Sequence, residues 1–247
     1  MDGAAAASGA GRVGRDGSGG RGGTGGPAGR GARVGRPSLT ERRKADTRTE
    51  VSRAAVRLFA SRGFDETTVE EIADAAGMAL RTFYRYFRSK EETVAPVLSA
   101  GMADWVERLA AWDPGAGLLA AMQLSYRAAL RHAREVDGVD DAQLRVMLRV
   151  ADGHPALRAV WLAVHHDCEE RLRPVIAARA GLPVDDADVW LTAGAVNVAV
   201  RVAMSRWAAG DGDAHEAAEQ VATALARVAT GGLLASLGTR APEPDNG

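Results

Sequence analysis

Between Phe64 and Glu92 the chain reads FDETTVEEIADAAGMALRTFYRYFRSKEE, and no other stretch constrains the fold as strongly. Thr68 and Glu71 have capping-box spacing, in which a hydroxyl and a carboxylate each satisfy a free backbone N–H. A short helix is therefore predicted from Val69, with Val69, Ile72, Ala73 and Ala76 inward at helical spacing. Gly77 follows, and glycine readily takes the left-handed conformation that ends a helix. Met78 then turns to the core. A second helix is expected from about Ala79 to Tyr86, with Phe83 and Phe87 inward, which leaves Leu80, Arg81, Thr82, Tyr84, Arg85 and Tyr86 for its outer faces. Helix, glycine turn and helix form a pattern whose second member can enter a DNA major groove.

The flanks extend this unit. Ser89 and Glu92 repeat the capping-box spacing around Lys90, and a helix N-terminus there would attract a phosphate oxygen. Upstream, Val51, Ala54, Ala55, Leu58 and Phe59 make one apolar stripe. It predicts a bracing helix from about Glu41 to Ser61, closed by Gly63.

Three linked segments, RAAVRLFASRGF, TTVEEIADAAG and RTFYRYFRSKEE, together resemble the N-terminal domain of the tetracycline-repressor (TetR) family over roughly Lys44 to Val94. The resemblance implies that Leu80, Arg81, Thr82 and Tyr84 face base edges and that Thr68, Arg85, Tyr86 and Lys90 hold phosphates. This chain departs from the family at Ala79, where a serine usually caps the recognition helix. Losing such a cap typically costs about 1 kcal/mol.

Charge is divided along the chain. Residues 1–92 carry 17 Lys+Arg against 12 Asp+Glu, whereas residues 93–247 carry 14 against 20, which suits one DNA-facing end. A run of about 18 apolar residues is not evident, so no membrane span is expected. The N-terminus shows no signal peptide. Cys168 is the single cysteine, so no internal disulfide framework forms and a cytoplasmic setting fits. Residues 1–38 are Gly-rich with scattered Arg and too few apolar side chains to offset ordering entropy. They are expected to be a disordered arm, with Arg33 and Arg36 as candidates for the minor groove.

The expected architecture is all-α. A helix-turn-helix domain covers residues 39–92, a helical effector-binding and dimerisation domain covers 93–238, and a loose tail covers 239–247. In the second domain, helices are expected from Glu91 to about Trp112 with a bend at Pro96, and from Asp113-Pro114 to about Arg134. Others follow from Asp140 to Asp152, from Leu157 through Pro174 to Gly181, from Asp185 to Ala209, and from Ala214 to Ala235. The Asp185–Ala209 helix is apolar around most of its girth and must be covered on most sides. Val196, Val200, Ala203, Met204 and Trp207, with Val221, Leu225 and Val228 of the next helix, are expected to face a second copy across a two-fold axis, with a buried core helix as the alternative. A homodimer fits a pseudo-palindromic double-stranded DNA operator with half-sites about one turn apart.

Trp105, Trp112, Met122, Tyr126, Met147 and Trp161 are candidate walls of a cavity for a small apolar or amphipathic effector, with ordinary core as the alternative. LRVADGHPALRAVW and AVRVAMSRWAAG resemble the C-terminal domain of the mycofactocin-system regulators, which implies acyl-coenzyme A thioesters as an effector class. Arg149 and Arg201 are candidates for an acidic ligand group. His165 and Cys168 share a helix face but find no second ligand cluster. No catalytic residue, metal or cofactor is expected. The expected activity is regulation of transcription, as repression relieved by the effector, with a ligand-independent DNA-binding factor as the alternative.

Overall fold

The computed structural model describes residues 38–113, 115–137 and 140–231. Arg33, Arg36 and the tail from Thr239 lie outside the described residues. Among the described residues every regular element is helical.

The first element, α1 (Leu39–Arg62), starts two residues earlier than predicted because Ser38 and Glu41 form a capping box. Ser38, assigned from sequence to the arm, is thus the cap of a helix. A second box, Thr68 with Glu71, opens α2 (Val69–Ala75) as expected. At Gly77, with φ +65°, the Met78 N–H reaches back to the Ala73 carbonyl and closes the turn. Then α3 (Leu80–Tyr86) begins at Ala79, whose side chain offers no cap.

The Ser89–Glu92 box does not form. Glu92 accepts the Arg88 N–H instead, and Glu91–Val94 is a 3-10 turn. It leads into α4 (Ala95–Ala111), where Pro96 occupies the first turn. Proline needs no N–H there, so it starts the helix where a bend was expected. The Asp113 carboxylate binds the Gly115 N–H in a local turn, and α5 (Leu118–His132) is capped by Gly117. That side-chain bond competes with the helix start predicted at Asp113. A π-helical turn, Ala133–Asp137, follows.

The remaining elements are α6 (Asp141–Gly153), α7 (Pro155–Ala180), α8 (Ala187–Ala209) and α9 (Ala214–Ala229). As read from the sequence, α7 runs through Pro174 and ends at Gly181, with φ +68°. The final helix is shorter than expected, with Thr230 as its C-cap. By length and composition α8 could cross a membrane, contrary to the sequence reading. Its Val189, Ala193, Val196, Val200, Ala203 and Trp207 are buried, however, in the core shared with α7 and α9.

One hydrophobic core continues from Val51 and Phe83 of the DNA-binding segment to Leu225 of α9. Arginine guanidinia close several helix C-termini, where unpaired carbonyls and the dipole favour a cation. Arg48 donates to the Tyr86 carbonyl at the end of α3, Arg179 to the Leu109 and Trp112 carbonyls at the end of α4, and Arg149 to the Ala208 and Gly210 carbonyls at the end of α8. Arg149, a candidate for an acidic ligand, is thus committed to α8.

Candidate nucleic-acid interface and effector cavity

The outer face of α3 is set by its inner one. Phe83 and Phe87 are fully buried, and their rings lie 5.5 Å apart. Helical geometry then turns Arg81, Tyr84 and Arg85 to solvent, with Tyr84 53% exposed. Leu80 and Thr82 are half-buried at the edges of that face. The face projects apolar ring edge, hydroxyl and guanidinium groups together, the set that reads base edges and phosphates.

Phosphate-binding chemistry gathers beside it. Tyr86 bonds with Arg85 and Thr47, and these bonds, with the charges of Arg85 and Lys44, hold its phenol below the usual range. An acid so stabilised as its anion marks a locally positive corner. Lys44 and Thr47, on the first half of α1, were not singled out from the sequence; the long spacing to Tyr86 hides them. Thr68 is exposed at the N-cap of α2.

Lys90 is placed differently from the expectation. Its ammonium donates to the carbonyls of Phe64 at 2.8 Å, Thr67 at 3.0 Å and Asp65 at 3.4 Å, and sits 4.3 Å from the Phe64 ring centroid. Its three donors are used within the protein, so it fastens the α1–α2 loop and is not directed at a phosphate.

The second site is a cavity of about 80 Å³ bounded by α4, α5, α6, α7, α8 and α9. Of the predicted wall residues, Tyr126 and Trp161 line it. Trp105, Met122 and Met147 are core: the Trp105 indole N–H donates to the Met122 carbonyl and the Ser125 hydroxyl, a bond that fixes it away from the space. Trp112 is half-buried at the end of α4. The walls missed from sequence include Met102, Leu144, Leu148, Met204 and Trp207. Their helical periodicity could not say which buried residues border a void. At the rim Arg134 pairs with Asp141 at 3.3 Å, and the second Asp141 oxygen accepts the Ala214 N–H at 2.9 Å. One carboxylate therefore joins α5's end, α6 and α9.

Two elements connect the cavity to the DNA-binding segment. The first half of α4 contributes Val97, Leu98, Gly101 and Met102 to the wall, and its Val97 N–H is bonded to buried Ser52 of α1 at 3.3 Å. From the rim α6 runs to His154, which packs on Phe64 at 4.9 Å between ring centroids and lies 3.6 Å from the Asp65 carboxylate.

A third feature corrects the expected partner surface. Val196, Val200, Met204, Trp207, Val221 and Leu225 are buried within this one chain and cannot also face a second. The opposite side of α8 exposes Trp190, Leu191, Val198 and Val202. Val198 and Val202 join Gly194, Ala195 and, from α9, Ala224 and Val228 around an open groove of about 800 Å³. The sequence reading placed the more continuous apolar stripe outside because both stripes are apolar. Of the predicted set, Ala203 and Val228 border this groove.

An exposed reading helix on a three-helix unit, joined to a helical body with an internal cavity, defines a helix-turn-helix DNA-binding transcriptional regulator. Family models for bacterial regulatory proteins of the tetR family and for the MftR C-terminal domain match residues 52–95 and 120–233. The chain is 38% identical over 152 residues to the HTH-type transcriptional regulator TcmR of Streptomyces glaucescens, covering 61% of this chain and 67% of that protein. It is 31% identical over 140 residues to the Mycobacterium tuberculosis protein named as mycofactocin biosynthesis transcriptional regulator MftR, covering 57% and 69%. A shorter match, 44% over 61 residues, joins 25% of it to 30% of the HTH-type transcriptional repressor KstR2 of Rhodococcus jostii. In fold it is similar to a TetR-family regulator from Syntrophomonas wolfei, with TM-score 0.55, 17% identity and coverage of 76% and 97%. The protein belongs to the TetR family of transcriptional regulators.

Proposed function

We propose that two copies pair through the exposed side of α8 and the adjoining face of α9, and that the pair represses transcription by occupying a pseudo-palindromic operator. Leu80, Arg81, Thr82 and Tyr84 read bases, while Thr68, Arg85 and Tyr86 hold phosphates. The observation that carries the reading is the α3 face, where Arg81, Tyr84 and Arg85 stand outward over the buried Phe83–Phe87 pair. The word repressor in the name of KstR2 supports the direction of control. The pair works on chromosomal DNA in the cytoplasm.

Release is geometric. An effector in the cavity presses on α4 and α6, whose far ends touch α1 and the α1–α2 loop. The two reading helices then no longer match both half-sites. Coupling of about 1–3 kcal/mol would change operator affinity 5- to 150-fold.

Footprinting on DNA fragments from the protein's own genome tests the first part. Two protected half-sites, centred about 10 bp apart or a multiple of that, are expected. Uniform protection that vanishes with salt would refute sequence-specific reading. The small volume of the cavity, about 80 Å³, favours a second reading, a DNA-binding factor without a ligand. Operator affinity unmoved by any compound that enters the cavity would establish it.

A further inference from the structure

The cavity's polar chemistry narrows what can occupy it. Tyr126 is 5% exposed and lines the space, yet its hydroxyl makes no hydrogen bond among the described residues. Its ring is held edge-on to Trp105 at 5.2 Å, so the group cannot swing out to find solvent. Burial pushes the phenol well above its usual range, which keeps it as O–H, able both to donate and to accept. A hydroxyl that borders the space and is engaged by no side chain is open to a ligand's polar atom.

The remainder of the wall is apolar except at the rim. Met102, Leu144, Leu148 and Met204 offer no hydrogen-bonding side chain, and Trp161 has only its indole N–H, which donates but cannot accept. The rim holds one cation and one anion, Arg134 and Asp141, already bonded to each other. A polyanionic ligand would have to break that pair and then face the Asp141 carboxylate, itself tied to α9. Nothing at the rim repays a cluster of phosphates with several unengaged cations.

Resting on the effector reading above, we propose that the occupant is a compact, uncharged amphiphile, with its apolar body among the methionines and Trp161 and one hydroxyl or carbonyl bonded to the Tyr126 hydroxyl. Coenzyme A thioesters, the class implied by the C-terminal resemblance, find no unengaged cation for their phosphates at this rim. At about 80 Å³ the space is roughly half of a ~150 Å³ cavity that holds benzene. Entry therefore widens it. Met102 and Met204, unbranched and soft, are the wall residues that yield most easily, and their displacement is what α4 and α8 would register.

The test uses the full-length protein and two isosteric probes, p-cresol and p-xylene, which differ by hydroxyl against methyl. Affinities are measured by titration calorimetry for wild type, for Tyr126→Phe and for Leu148→Trp, which fills the cavity. A site built to bond a hydroxyl discriminates against an analogue lacking it. Expected is a fall of about tenfold in the p-cresol to p-xylene affinity ratio in Tyr126→Phe, with p-xylene binding itself unchanged, and loss of both probes in Leu148→Trp. An unchanged ratio overturns the proposal. Binding of lauroyl-coenzyme A, lost in Leu148→Trp and accompanied by operator release, overturns it while leaving the effector reading intact. If no probe binds the wild-type protein, both fall.

Discussion

Single side chains decide where polar chemistry is available. His165 is buried, its Nδ1 is 2.6 Å from the Asn197 Oδ1, and the Asn197 amide donates to Glu169 at 3.3 Å. The carboxylate can only accept, so Asn197 presents its amide to it and its carbonyl to the imidazole, which leaves His165 protonated on Nδ1. Burial depresses its pKa from 6.5 to about 4. Between those values the unfolded chain binds the extra proton, so the stabilising contribution is intact above pH 6.5 and is lost as pH falls toward 4. The urea midpoint should drop between pH 7.5 and 4.5, by up to about 3 kcal/mol in stability, and His165→Gln should remove that part of the slope. Cys168, buried and pushed up to about 12, should resist thiol reagents at pH 8 until the protein is unfolded. On the DNA side, Tyr84→Ala should relax base preference at one operator position by about 1–3 kcal/mol. Lys90→Ala should lower thermal stability yet leave the salt dependence of binding unaltered, whereas Arg85→Ala should reduce the slope by about one. An equal change of slope for both would return Lys90 to the phosphates. Local spacing showed the outward place of Tyr84 and the Thr68–Glu71 box directly. It could not show Lys90's inward turn, because the carbonyls that hold it belong to a loop more than twenty residues away.

At the level of elements, legibility followed how local each signal was. The box at Thr68, the glycines at Gly77 and Gly181 and the passage through Pro174 are all settled within a few residues. Asp113 and Ser89 failed because a nearby backbone N–H offered a competing bond or partner. The two sides of α8 failed for a different reason: hydrophobicity says that a face is covered, not by what. Element-scale predictions follow. Ala79→Ser restores a cap to α3 and should stabilise the fold by about 1 kcal/mol, read as a higher urea midpoint. Val198→Glu, on the exposed side of α8, should yield a monomer in sedimentation while preserving helicity; Val200→Glu, on the buried side, should unfold the chain. Were Val198→Glu to remain dimeric, the proposed pairing surface would be wrong.

For the molecule as a whole, one core runs from the reading unit to α9, so the parts are not free to drift independently. The cavity rim, α6 and the α1–α2 loop form one line of contact through Asp141, His154 and Phe64. The fold class and the reading unit were visible from sequence because their patterns are periodic. The cavity was visible only in part, because a void is a property of packing among six helices and no single helix encodes it.

The exposed stripe Trp190, Leu191, Val198 and Val202 has a consequence beyond the fold. If two copies must meet across it before either grips an operator, occupancy at low copy number climbs with the square of gene dosage. Halving expression would then cut occupancy about fourfold, giving the cell a threshold without any added circuitry.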